Sequence, residues 1–158
     1  MKFFLFNLFI ISLLLSACTN NLRSVEKITP NFNQISFDVV QKNLLIEGEF
    51  PVYVNKLIQN WFDNKVKIDG LEGQMTLTVF DYQEKISIIT DGKKVDTSLK
   101  FLINIKKPLL SKTKIIKGEV SSFGTLSGTF SLEEFDNVIN NTQSELILRL
   151  SRDLKSKI

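Results

Sequence analysis

Between Val95 and Lys106 the chain alternates strictly enough to dictate the layer it must join. Val95, Thr97, Leu99, Phe101, Ile103 and Ile105 fall on one side, and Asp96, Ser98, Lys100, Asn104 and Lys106 on the other, with Leu102 the exception. A period of two places successive side chains on opposite faces of a strand. One face must therefore be covered and the other left in water, which an antiparallel sheet permits and a fully buried parallel sheet does not. What covers the apolar face has to come from the same chain.

Two amphipathic stretches can supply that cover. After Pro51, suited to a first helical turn, Val54, Leu57, Ile58, Trp61, Phe62 and Val66 recur at three- and four-residue spacing up to a stop near Asp69-Gly70. Trp61 reads as a core anchor of that helix. A second helix begins at Ser131, where Ser131 and Glu134 fit a capping box and Phe130 with Phe135 a hydrophobic staple. Its stripe is Leu132, Phe135, Val138, Ile139, Leu146, Ile147, Leu150, Leu154 and Ile158. Arg149, Arg152, Lys155 and Lys157 suit its negative C-terminal end.

The remaining strands are shorter. Gln34–Val40 alternates Ile35, Phe37 and Val39 against Ser36 and Asp38, and a connection follows over Asn43–Glu49. Gln74–Tyr82 sets Met75, Leu77 and Val79 inward. Lys85–Thr90 runs into Asp91-Gly92, a hairpin signal, and the break or continuity at Tyr82-Gln83 is open. Beyond the Pro108 turn, Lys112–Ser122 makes a last strand, with Ile116 and Val120 on one face and Ile115 on the other. Ser121–Thr129, with Gly124 and Gly128, reads as a turn before the helix; it lacks the Gly-Lys-Ser/Thr ending of a nucleotide loop. The expectation is one α+β domain over residues 34–158, order β-α-β-β-β-α: a mainly antiparallel sheet of about four strands with both helices on one face.

Composition removes much chemistry. The chain has no histidine and one cysteine, Cys18. That excludes His-based nucleophilic triads, His-ligated zinc, all-cysteine metal sites and a disulfide framework. No catalytic residue, metal or cofactor is expected. A net charge of +3, with signs alternating along most of the chain, gives no basis for a nucleic-acid partner.

The N-terminus carries an address. Lys2 precedes an apolar run from Phe3 to Leu15, interrupted only by Asn7 and Ser12, which has the layout of a secretory signal and is too short for a bilayer span. It ends in Leu15-Ser16-Ala17-Cys18, which resembles the bacterial lipobox. That resemblance implies cleavage after residue 17, diacylglycerol on the Cys18 sulfur and usually an acyl group on its new amine. Residues 18–33, polar with Pro30 and several Asn, then read as a lipidated tether. Thr19, rather than Asp, follows the cysteine; by resemblance to the Gram-negative sorting rule this implies the outer membrane, periplasm-facing.

Phe50-Pro51, Trp61 and Gly70-Leu71-Glu72-Gly73, followed by a long C-terminal helix, are similar to small alphaproteobacterial-type lipoproteins. The element order also resembles the lipopolysaccharide-assembly lipoproteins, although Cys18-Thr19-Asn20 departs from their Cys-Gly-aromatic start. The resemblance carries no functional residue beyond Cys18. The lipobox, the small α+β body and the lack of catalytic chemistry together lead to the expectation of a non-catalytic, membrane-anchored envelope lipoprotein with an envelope protein partner, an adaptor in outer-membrane assembly or maintenance. The alternatives are a lipid-binding or transport auxiliary, and a cell-wall hydrolase using acidic pairs such as Glu133-Glu134 or Asp63 with Asp69.

Overall fold

A computed structural model describes residues 30–158. The signal and the tether up to residue 29, including Leu15, Ser16, Ala17 and Cys18, lie outside them; Phe32, assigned to the tether by sequence, packs against the core. The elements are β1 (Ile35–Phe37), β2 (Gln41–Glu47), α1 (Val52–Lys65), β3 (Val66–Ile68), β4 (Gln74–Ile89), β5 (Gly92–Lys107), β6 (Lys112–Ser127) and α2 (Leu132–Lys157), with a 3-10 turn at Pro108–Leu110. The main sheet runs β2-β4-β5-β6. Its β4–β5 and β5–β6 pairings are antiparallel and β2–β4 is parallel. The α+β layering with both helices against one sheet face is as expected; the sheet is mixed because one extra strand joins its edge.

That strand corrects the first half of the chain. Asn43–Glu49 was expected as a connection, yet Gln41–Glu47 forms β2. The expected strand Gln34–Val40 shrinks to Ile35–Phe37, although Ile35, Phe37 and Val39 are all buried as its alternation requires. The first helix also ends earlier than its stripe suggested: Val66–Ile68 pairs in parallel with β1 instead. β1 and β2 are thus two parts of one bent path, matched by β3 and β4 on the other side of α1.

The bend explains Gly70-Leu71-Glu72-Gly73. Gly70 N–H donates to the Val39 carbonyl (3.1 Å), and Val40 N–H donates to Gly73 (3.2 Å). A Cβ on Gly70 would lie 2.3 Å from the Val39 nitrogen, and Gly73 sits at φ +85. Both strands turn the corner only where backbone can touch backbone.

Lys42 terminates α1. Its ammonium donates to the carbonyls of Phe62 (2.8 Å) and Asp63 (3.3 Å) in the last helical turn and of Val66 (2.6 Å) just beyond it, adding to the Val66 N–H that Phe62 already accepts. Burial pulls this ammonium below the ordinary lysine value, opposed by the charge of Asp63 and aided by that of Lys67. Lys42→Met is expected to destabilise the domain by about 1–3 kcal/mol, the cost of stranding partly buried carbonyls. Chemical denaturation of the mature chain, with an unchanged slope and a lower midpoint, checks it.

β4 runs through as one strand. The register shifts between Phe80 and Gln83, where Asp81 adopts φ +54, and pairing resumes to Ile89↔Gly92. The bulge re-aims Tyr82, so that its ring packs at a tilt against Phe50 (5.3 Å between centroids).

The C-terminal half forms the second layer. β6 extends to Ser127, so Ser121–Thr129 is largely strand rather than turn. The glycine that suggested a turn serves α2 instead: a Cβ on Gly124 would meet Thr142 Oγ1 at 2.4 Å and Val138 at 3.0 Å. Gly118 plays the same part beside Phe101 and Lys157. The α2 start is as read from sequence. Glu134 N–H donates to Ser131 Oγ (3.1 Å), Ser131 N–H donates to Glu134 Oε2 (2.7 Å), and Phe130 stacks on Phe135. Of the stripe, Val138, Leu146, Ile147, Leu150 and Leu154 are buried, whereas Leu132 is 76% exposed because it precedes the region lying over the sheet. Trp61, fully buried, joins Phe101, Leu99, Leu77 and Leu146 in one core.

Candidate functional site

The predicted lipidation residue Cys18 and its lipobox residues Leu15, Ser16 and Ala17 precede the described residues. No group of three or more His, Cys, Asp or Glu side chains among the described residues could hold a metal ion. No described helix is long and apolar enough to cross a membrane.

Among the acids offered as catalytic candidates, Glu134 closes the capping box, with Glu133 beside it in the first helical turn, where acids suit the positive helix end. Asp63 and Asp69 are engaged through their backbones: the Asp63 carbonyl accepts from Lys42, and Asp69 N–H donates to the Phe37 carbonyl in the corner (3.1 Å).

A polar seam that sequence reading missed lies where α2 meets the β4 bulge. Glu84 Oε2 accepts from Tyr82 Oη (2.7 Å) and from Gln143 Nε2 (2.8 Å). Tyr53 Oη and Ser144 Oγ lie 3.0 Å apart nearby. Burial first, then the hydrogen bond to Glu84, raises the Tyr82 phenol well above its ordinary value. The phenol thus stays protonated as a donor. The seam ties α2 to β4 through Gln143 and α1 to α2 through Tyr53, and the bulge, invisible in a propensity pattern, brings Tyr82 and Glu84 to it.

Two surfaces remain. The first is the outer face of the sheet. Register places Leu45, Thr78, Leu102 and Lys117 in one row, with Asn104 and Ile115 in the next. Leu45, Ile115 and Phe123 are exposed there, and Lys94 sits over the Phe123 ring (5.3 Å). Beside this face β2 pairs with β4 only as far as Phe80, so β4 from Gln83 to Ile89 has an open outer edge among the described residues. Ile86 and Ile88 are exposed along it. An open edge of this kind is able to accept a strand.

The second surface is a cleft at the other end of the molecule, of about 330 Å³, lined by Phe37, Val39, Ile105, Lys107, Lys112 and Lys114, with Asp38 and Ile158 at its margins. Lys107 pairs with Asp38, and Lys114 Nζ donates to the Lys157 carbonyl (3.3 Å). Its floor is apolar and its rim cationic.

No protein-family model and no curated protein matches the sequence. Solved structures resemble part of its shape. A minor lipoprotein from Acinetobacter baumannii aligns at 11% identity over 75% of this chain and 89% of its own, with TM-score 0.48. Rare lipoprotein B from Shewanella oneidensis aligns at 13% identity, 74% and 97% coverage and TM-score 0.42. An uncharacterised lipoprotein B from Nitrosomonas europaea aligns at 5% identity, 84% and 92% coverage and TM-score 0.47. At these scores no residue role passes from them to this chain.

Proposed function

We propose that this chain is a non-catalytic lipoprotein of the bacterial envelope, acylated on Cys18, facing the periplasm from the outer membrane and acting as an adaptor in outer-membrane assembly or maintenance. The observation that carries the reading is Leu15-Ser16-Ala17-Cys18 directly after the apolar run. Several acyl chains on one residue give stable anchoring where a single chain is marginal. Support for an adaptor comes from the surface: a wet sheet face with Leu45, Ile115 and Phe123 exposed, and an open β4 edge, are features for protein contact rather than chemistry.

The lipid-carrier alternative has less support. The layer between helices and sheet is filled by Trp61, Phe101, Leu99, Leu146 and Leu150, all fully buried, where an acyl chain would have to lie.

Photo-crosslinkers placed at Ile115 and Phe123 in living cells test the adaptor reading. The expected result is one envelope protein captured from both positions. Recovery of only abundant, unrelated lipoproteins would remove it.

A further inference from the structure

The hairpin that reaches the cleft carries the longest run of like charges in the chain. Between Asp96 and Glu119 the sequence has six lysines, Lys100, Lys106, Lys107, Lys112, Lys114 and Lys117, and no acidic residue. Four of these flank the turn from β5 to β6. At the tip of that turn Leu109 is 85% exposed. The adjacent turn, between β3 and β4, bears a second leucine, Leu71, 98% exposed. The two turns touch: Gly73 lies against the Lys106 carbonyl and the Lys107 side chain. Acids are present here too, but Asp38 is matched by Lys107, and Asp69 and Glu72 flank Leu71 rather than Leu109.

Aliphatic tips ringed by ammonium groups suit a lipid–water boundary. The leucine enters the acyl edge while the lysine stems lie along it and their heads reach phosphate. The position of the chain's start agrees. Phe32 already packs against the core, and the chain then runs through β1 into the corner whose Phe37, Asp38 and Val39 line the cleft with Lys107, Lys112 and Lys114. An anchor on Cys18, which precedes β1 in the chain, would join the domain through this part of the fold.

We infer that the β5–β6 turn, with Leu109 as its apolar tip and Lys106, Lys112 and Lys114 as its cationic rim, is a contact surface for an anionic phospholipid bilayer. It docks the domain with the cleft end toward the membrane, an orientation that rests on the anchor at Cys18 proposed above. The outer sheet face and the open β4 edge are then left standing away from the lipid for a protein partner.

The test separates this surface from the anchor. The mature chain from residue 18 onward, carrying Cys18→Ser and hence no acyl group, is sedimented with equimolar phosphatidylglycerol–phosphatidylcholine vesicles and with pure phosphatidylcholine vesicles. Binding to the anionic vesicles alone is expected, weakening as salt rises. Each lysine near a charged surface contributes about fivefold in affinity, so Lys112→Glu with Lys114→Glu should weaken binding at least about tenfold. Leu109→Ser should weaken it several-fold. Lys85→Glu with Lys94→Glu, on exposed or half-exposed positions at the opposite end, should leave it unchanged. The thermal melt of each variant shows that the domain remains folded. Absence of binding to anionic vesicles, or equal loss from both pairs of reversals, would overturn the proposal. So would crosslinks from the turn to a protein without vesicle binding, which would assign it to that protein. None of these outcomes bears on lipidation, which is read from the N-terminus of the native protein.

Discussion

A chain ending at Glu145 is expected to be unfolded or aggregated, not folded and inactive. The lost segment contains Leu146, Ile147, Leu150 and Leu154, each at most 1% exposed and all in the single core. At about 1.5–3 kcal/mol per fully buried aliphatic side chain, their removal is worth roughly 6–12 kcal/mol. A domain of this kind has a total stability of only about 5–15 kcal/mol. The figure omits the counterpart surface: Leu99, Phe101, Ile103 and Val120 would lose their cover and present an apolar sheet to water. Soluble yield, sedimentation and the far-UV thermal melt of the truncated chain decide the matter. A soluble, monomeric product with a cooperative melt would mean that the last turns of α2 project as an arm and do not complete the core.

Trp61→Ala should cost about 3–5 kcal/mol, the range for removing a large buried aromatic. Trp61 sits on the buried face of α1 with Val54, Ile58 and Phe62 and has no exposed surface. Its indole nitrogen has no hydrogen-bond partner in the protein, so the residue contributes through packing alone. Trp61→Phe should therefore cost less than half as much as Trp61→Ala, because it keeps most of the volume and removes a polar group that is not paired. Melting midpoints of the two variants check both statements. Equal losses would indicate that the indole N–H matters, and a near-unchanged midpoint for Trp61→Ala would place the residue outside the core.

These two predictions draw on the part of the fold that periodicity reveals. The β5 alternation, the α2 stripe with its capping box and staple, and the inward set Met75, Leu77 and Val79 were all legible because each repeats a single geometric period over several turns or pleats. What was not legible depends on contacts between distant segments. Leu44-Leu45-Ile46 in β2 shows no alternation, because an edge strand beside α1 is half-covered on one face and open on the other. Val66 continues the helical stripe of α1, yet it pairs with Ile35 in a parallel ladder, and Lys42, from a strand more than twenty residues earlier, donates to its carbonyl. Gly124 looks like a turn former until α2 is laid across it.

The candidate surfaces were less visible still. Cys18 was legible because a processing motif is read linearly, by position after an apolar run. The lysine turn was not: its four lysines are spread over both arms of a hairpin, and their meaning appears only when Leu109, Leu71 and the corner at Phe37, Asp38 and Val39 fall at one end. The Tyr82–Glu84–Gln143 seam needed the bulge at Asp81 to exist at all.

The central claim is the lipid anchor. The most direct measurement is the intact mass, with fragmentation of the N-terminal peptide, of the protein purified in detergent from its native membrane, beside a Cys18→Ser variant. The account predicts a native chain that begins at Cys18 and carries diacylglycerol on sulfur, and a variant that retains residues 1–17 without lipid. A native chain that begins elsewhere with an unmodified N-terminus, or a Cys18→Ser variant that is cut normally to a soluble product, would contradict it.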